Sequence, residues 1–186
     1  MASVCRLVLV TSLIQPPIWA TTVTEFRPAV CPTDCLCGVG TSLSPLTVKG
    51  YFATVSCPNR KLAAFPTRMP PETTIAVLRG NALKTTVLPE GSQLPPQLAE
   101  LDLSYNVIND VTMTSPAHLL RHLDLRHNVI HALSPSSFAE LPRLRVLLLG
   151  FNRIAKLDTS CFRPLKELRW LSLAGNRLST LTSGVP

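Results

Sequence analysis

Asparagine recurs along this 186-residue chain at Asn81, Asn106, Asn128, Asn152 and Asn176, with gaps of 25, 22, 24 and 24. Aligned on it, one template emerges, L-x-x-L-x-L-x-x-N-x-[IL]-x-x-[LV]. Four copies fill every defined position: Leu98, Leu101, Leu103, Asn106, Ile108, Val111; Leu120, Leu123, Leu125, Asn128, Ile130, Leu133; Leu144, Leu147, Leu149, Asn152, Ile154, Leu157; and Leu168, Leu171, Leu173, Asn176, Leu178, Leu181. A weaker copy has Ala76, Leu78, Asn81 and Leu83, and an initial one has Val55, Cys57, Leu62 and Phe65. One such unit cannot bury its own leucines, but a stack of them forms a continuous core.

The spacing dictates local structure. The L-x-L pair puts two leucines on one face of a short strand, pointing inward. The chain must then turn, and a buried Asn can bond backbone groups that the turn would leave orphaned. Phe138 and Phe162, each ten residues after its Asn, are placed to fill the outer side of the core. Aromatics make up only 5% of the chain, so the rest of that core is aliphatic. A hydrophobic fraction of 46% against 16% charged excludes a disordered, highly charged chain. The expected architecture is a curved solenoid with a parallel sheet on its concave face.

Upstream, Met1–Ala20 reads as a secretory signal: Arg6 is the positive n-region, Leu7–Ile14 an apolar segment too short to span a bilayer, and Ile18 and Ala20 suit a cleavage site. No apolar run reaches the roughly 18–20 residues of a membrane span. Residues 21–30 then read as a linker, 31–66 as a cysteine-rich cap with the first degenerate repeat, and 67–186 as about five repeats. An oxidising destination favours paired cysteines. Cys31, Cys35 and Cys37 lie within seven residues, a spacing that zinc also accepts, but no His is near in sequence. Cys161 stands where Ser137 stands one repeat earlier. It reads either as a partly shielded, tolerated cysteine or as a thiol for intermolecular pairing.

The template resembles the leucine-rich repeat. The run Cys31-Pro-Thr-Asp-Cys35-Leu-Cys37, followed by Cys57, resembles the N-terminal cysteine cap of extracellular leucine-rich-repeat proteins such as small leucine-rich proteoglycans, the Nogo receptor and platelet glycoprotein Ib. The resemblance implies a right-handed α/β solenoid with short helical or irregular convex segments. It implies bridges Cys31–Cys37 and Cys35–Cys57. The 19 residues between Cys37 and Cys57 are more than many members have. It also implies roles in adhesion, receptor recognition or matrix organisation. The array stops just after an Asn turn with no C-terminal cysteine cap, so a fragment or truncated form of a longer receptor or matrix protein is expected. No N-x-[ST] sequon occurs.

An enzyme needs converging groups, and none is expected here. His122 and His127 open and close one strand, roughly 16 Å apart, too far to share an ion. Asp102 and Asp124 fall in one column about 5 Å apart, but on a face expected to be open and solvated. No phosphate loop or nucleophile elbow is present, and no cofactor, metal or nucleic acid is expected.

A binding surface is expected instead. Read from the template, outward positions carry Tyr105, Asp124, His127, Val146, Leu148, Phe151 and Trp170, with Asp102, Ser172, Glu100 and His122 in the same columns. Polar residues are expected on a face that meets only water, whereas a patch of large apolar ones marks an interaction site or, towards the C-terminal end, a surface that further repeats would cover. Residues 141–186 hold eight basic and two acidic residues, and the whole chain is +7. Arg121, Arg145 and Arg169 share one template position and are expected to form a basic flank suited to an acidic partner such as heparan sulfate. The expected function is extracellular protein–protein recognition. The alternative is a structural matrix protein without a signalling ligand; Ser183-Gly184 lacks the acidic neighbours of a glycosaminoglycan attachment site.

Overall fold

The computed structural model describes residues 31–41, 51–90, 92–113 and 117–182. The expected signal segment, the linker and the Ser183-Gly184 pair lie outside them. Seven strands form one sheet: β1 (Leu36–Thr41), β2 (Tyr51–Ser56), β3 (Ile75–Val77), β4 (Glu100–Asp102), β5 (His122–Asp124), β6 (Val146–Leu148) and β8 (Trp170–Ser172). From β2 onward every pairing is parallel and in the template's register, so Leu101, Leu123, Leu147 and Leu171 lie side by side. Two further strands, β7 (Lys156–Asp158) and β9 (Thr180–Thr182), pair in parallel apart from that sheet. Among the described residues there is no α-helix, only a 3₁₀ turn at Thr159–Phe162, so the convex side is almost wholly turns and irregular chain. None of these elements is a helix long and apolar enough to cross a membrane.

The template leucines build the core. Leu98, Leu101, Leu103, Leu120, Leu123, Leu125, Leu144, Leu147 and Leu149 are all buried. Phe138 closes the outer side and stacks on Phe162, with ring centroids 6.2 Å apart. The asparagines do what a leucine could not. Asn128 donates through Nδ2 to the carbonyls of Leu103 and Leu125, each at 3.0 Å, and accepts at Oδ1 from the Ile108 amide at 2.9 Å. Asn81, Asn106, Asn152 and Asn176 repeat the pattern, each tying its own turn to the preceding one.

The cap contains the bridges implied by the resemblance, Cys31–Cys37 and Cys35–Cys57. The long stretch between Cys37 and Cys57 contributes most of β1 and β2, an antiparallel pair that closes the end of an otherwise parallel sheet. Cys161 is fully rather than partly buried, in the slot before the core Phe, and burial pushes its thiol up to about 11. That removes the reactive-thiol reading, since the thiolate is the nucleophile.

Candidate functional site

Side chains at the first and third positions of each three-residue strand project to the concave face. In register, the first column runs Ile75, Glu100, His122, Val146, Trp170, and the second Val77, Asp102, Asp124, Leu148, Ser172. Two expectations about this face need correcting. The face is not a uniformly open solvated sheet, because a recess of about 500 Å³ lies in it. Nor do all of its outward residues meet water: Val146 is only 1% exposed and Asp124 is buried, as are Glu100, His122 and Asp102. Strands about 4.8 Å apart let same-column neighbours cover one another. Trp170, on the last strand, has a neighbour on one side only and stays 55% exposed.

The recess is chemically divided. Its ionic half comprises Arg79, Asp102, His122, Asp124 and Arg126, and its apolar half Val146, Leu148 and Trp170. Arg126 grips Asp124, its Nη2 lying 2.6 Å from Oδ2 and its backbone amide 3.0 Å from Oδ1. The side-chain hydrogen bond is the main reason the guanidinium pKa is raised. Burial, opposed by the charges of Glu100, Asp124 and Asp102, pushes the His122 pKa down and so favours the neutral imidazole. Among the described residues no three His, Cys, Asp or Glu converge to hold a metal.

Beyond the strands lies a third feature. Tyr105, His127 and Phe151 are not strand residues; each sits in the turn just before its ladder Asn, with φ of 56°, 54° and 57°. Gly80 and Gly175 hold the same template position with φ of 70° and 68°. The left-handed conformation suits glycine and costs other residues about 1–2 kcal/mol. A Cβ on Gly175 would stand 2.7 Å from Phe151 Cδ1, so here glycine also makes room for the ring. The three rings stack in a row, with centroids 4.1 Å apart for Tyr105–His127 and 4.5 Å for His127–Phe151. Arg79 extends the row, its guanidinium 4.5 Å over the Tyr105 ring. Tyr105 is 46% and Phe151 55% exposed.

Sequence reasoning grouped the aromatic residues with the strand columns and missed the contributions of Arg79 and Arg126. The glycines at two of the five positions preceding an Asn were the available signal for a turn that demands positive φ. The basic flank is also modified. Arg121, Arg145 and Arg169 follow one another along the sheet, but Arg145 is engaged by Glu167 at 2.8 Å. Arg121 and Arg169 are both exposed.

A leucine-rich-repeat family model matches residues 96–154 and, overlapping them, 118–178. Trophoblast glycoprotein of Macaca fascicularis is 35% identical over 131 residues, 67% of this chain and 26% of that protein. Leucine-rich repeat-containing G-protein coupled receptor 5 of Rattus norvegicus is 42% identical over 59 residues, covering 32% of this chain and 6% of the receptor. Leucine-rich repeat-containing protein 3 of Danio rerio is 32% identical over 114 residues, 60% of this chain and 39% of that protein. The chain thus spans well under half the length of each of these relatives. Among solved structures, the crystal structure of a TLR13–ssRNA13 complex superposes with a TM-score of 0.53 at 28% identity, over 60% of this chain and 19% of that one.

Proposed function

The chain is a leucine-rich-repeat protein with disulfides at its N-terminal end, and from that premise we propose that its concave face binds a protein ligand outside the cell. One observation carries the reading: three bulky residues occupy backbone positions that favour glycine. Stability alone selects glycine there, as at Gly80 and Gly175. Keeping Tyr105, His127 and Phe151 at those positions produces a row of stacked rings, and Trp170 is a further exposed aromatic on the same face, in the column of His122. Exposed aromatic clusters are favoured binding hot spots.

The extracellular address rests on the two disulfides, which persist in oxidising compartments, and on the signal-like start of the sequence. The relatives named as a glycoprotein and a receptor are consistent with it. The ligand surface spans Tyr105, Asp124, His127, Leu148, Phe151 and Trp170, with Val146 as part of its floor. TLR13 was solved as a complex with ssRNA13, but the carboxylates of Asp102 and Asp124 at the centre of the present face disfavour phosphate. Heparan sulfate as a second ligand rests on Arg121 and Arg169, because Glu167 already pairs with Arg145.

Surface plasmon resonance of the purified chain against a panel of receptor ectodomains and fibrillar collagen tests the reading. Phe151→Ala and Trp170→Ala are each expected to weaken the captured complex by about 1–3 kcal/mol. Their unfolding midpoints should stay close to that of the parent chain, since both side chains are more than half exposed. Unchanged affinity in both folded variants defeats the proposal. Capture by collagen alone, through another surface, favours the structural matrix role.

A further inference from the structure

We propose that the recess in the concave face receives one basic side chain of the partner, its guanidinium or ammonium head on Asp102 and His122 and its alkyl stem along Val146, Leu148 and Trp170. The inference rests on the concave face being a ligand surface and specifies the chemistry of its centre. Two polar atoms at the centre of the recess wall, on Asp102 and His122, lack a partner among the described residues, and Ser172 adds a hydroxyl that can donate or accept. One oxygen of Asp102 takes the Ser104 amide at 2.8 Å, and the other accepts nothing from the described residues. Neighbouring Asp124 is fully engaged by Arg126. The His122 side chain is only 3% exposed and lines the recess, yet its Nδ1 has no hydrogen-bond partner among the described residues. A buried polar atom in that condition is costly and is ordinarily satisfied by something. A neutral imidazole offers one acceptor nitrogen and one N–H donor, so the Nδ1 site can be completed by a donor in the tautomer protonated on Nε2.

A ligand that completes the Asp102 carboxylate has to donate. A cationic N–H head does so and gains a charge-assisted bond to Asp102. An acidic head brings oxygen acceptors to the Asp102 carboxylate and leaves it unsatisfied. Both arginines of the wall already have contacts, Arg126 on Asp124 and Arg79 on the Tyr105 ring. The apolar half suits what lies behind such a head. Lys and Arg bury their methylene stems along apolar surface, and a Trp ring face attracts the cation itself. Trp170 is the exposed wall of that half, with Val146 and Leu148 beside it.

The test uses three small probes on the full chain carrying isotope-labelled histidine: butylguanidinium, butylammonium and butyrate. With four histidines in the sequence, each imidazole is assigned by single substitution. Both cations are expected to move the His122 ring resonances saturably, with dissociation constants of about 1 mM or weaker. Asp102→Asn should raise those constants about tenfold. Its unfolding midpoint should hold, because an amide oxygen still accepts the Ser104 N–H. Saturation by butyrate, a response that survives Asp102→Asn, or no His122 response to either cation overturns the proposal. Phe151 does not line the recess, so its alanine variant separates the two claims. If Phe151→Ala weakens partner capture while the cations leave His122 unmoved, only the recess assignment falls. If Phe151→Ala and Trp170→Ala both bind the partner normally, the concave-face reading falls as well.

Discussion

Asn128→Ala is expected to lower the stability of the solenoid by about 4 kcal/mol, read as a shift of the urea unfolding midpoint. Its side chain makes contacts at four backbone groups: the carbonyls of Leu103, Leu125 and Arg126 and the amide of Ile108. The side-chain bonds to Leu103, Leu125 and Ile108 lie in the interior, where water cannot replace the lost partner. Each buried group left unpaired costs about 1–3 kcal/mol, so even the lower bound sums to a large fraction of a domain's stability. Stability in a stack of repeats is close to a sum of nearest-neighbour terms. The damage should therefore centre on the junction of the turns that Asn128 joins, and amide exchange should accelerate first around Leu103–Ile108 and Leu125–Ile130. Asn176→Ala supplies the contrast. Its bonds are only part-buried, so the loss should be clearly smaller. Equal losses at the two positions would mean that the ladder does not act through burial.

Breaking the Cys35–Cys57 bridge by Cys57→Ala is expected to cost about 3 kcal/mol, the loop-closure value for the 22-residue separation it spans. Two further contributions point the same way. Both cysteines are buried, and Cys57 fills the position that leucine fills in later repeats. Its carbonyl also accepts from Asn81, so the cap and the ladder share a joint. Breaking Cys31–Cys37, which closes only six residues and has a half-buried partner in Cys31, should cost about 2 kcal/mol. Thermal melts of the two single-bridge variants decide between them. A larger loss from the Cys31–Cys37 variant would contradict the assignment of Cys57 to the core.

Much of this was legible in the sequence because it depends on period. Leu101 and Leu103 declare a strand with an inward face, and Asn106 declares the turn after it. Cys57 is readable as a core residue because it stands at a leucine position. What depends on neighbouring rows was less legible. Nothing local to Val146 or His122 distinguishes it from Trp170, which shares its column. Their different exposure follows from having strands on both sides rather than one. The recess arises from side-chain size in adjacent repeats, including Arg79 and Arg126, which lie beyond the columns read from the template. The turn conformation of Tyr105, His127 and Phe151 could have been inferred from Gly80 and Gly175 in the same frame. Cys161 shows the opposite case. The buried Ser137 of the preceding repeat sits in a small slot, and a thiol fits that slot as an apolar group without gaining reactivity.

The central claim is that ligand engages the concave aromatic row and not the convex turns. Hydroxyl-radical footprinting of the chain, alone and in complex with a partner captured from the ectodomain panel, addresses it directly. Bound ligand should protect Tyr105, Phe151 and Trp170, while the exposed convex residues His131 and Lys166 stay as reactive as in the free chain. Protection of His131 and Lys166, with the three aromatic side chains unchanged, would contradict the account.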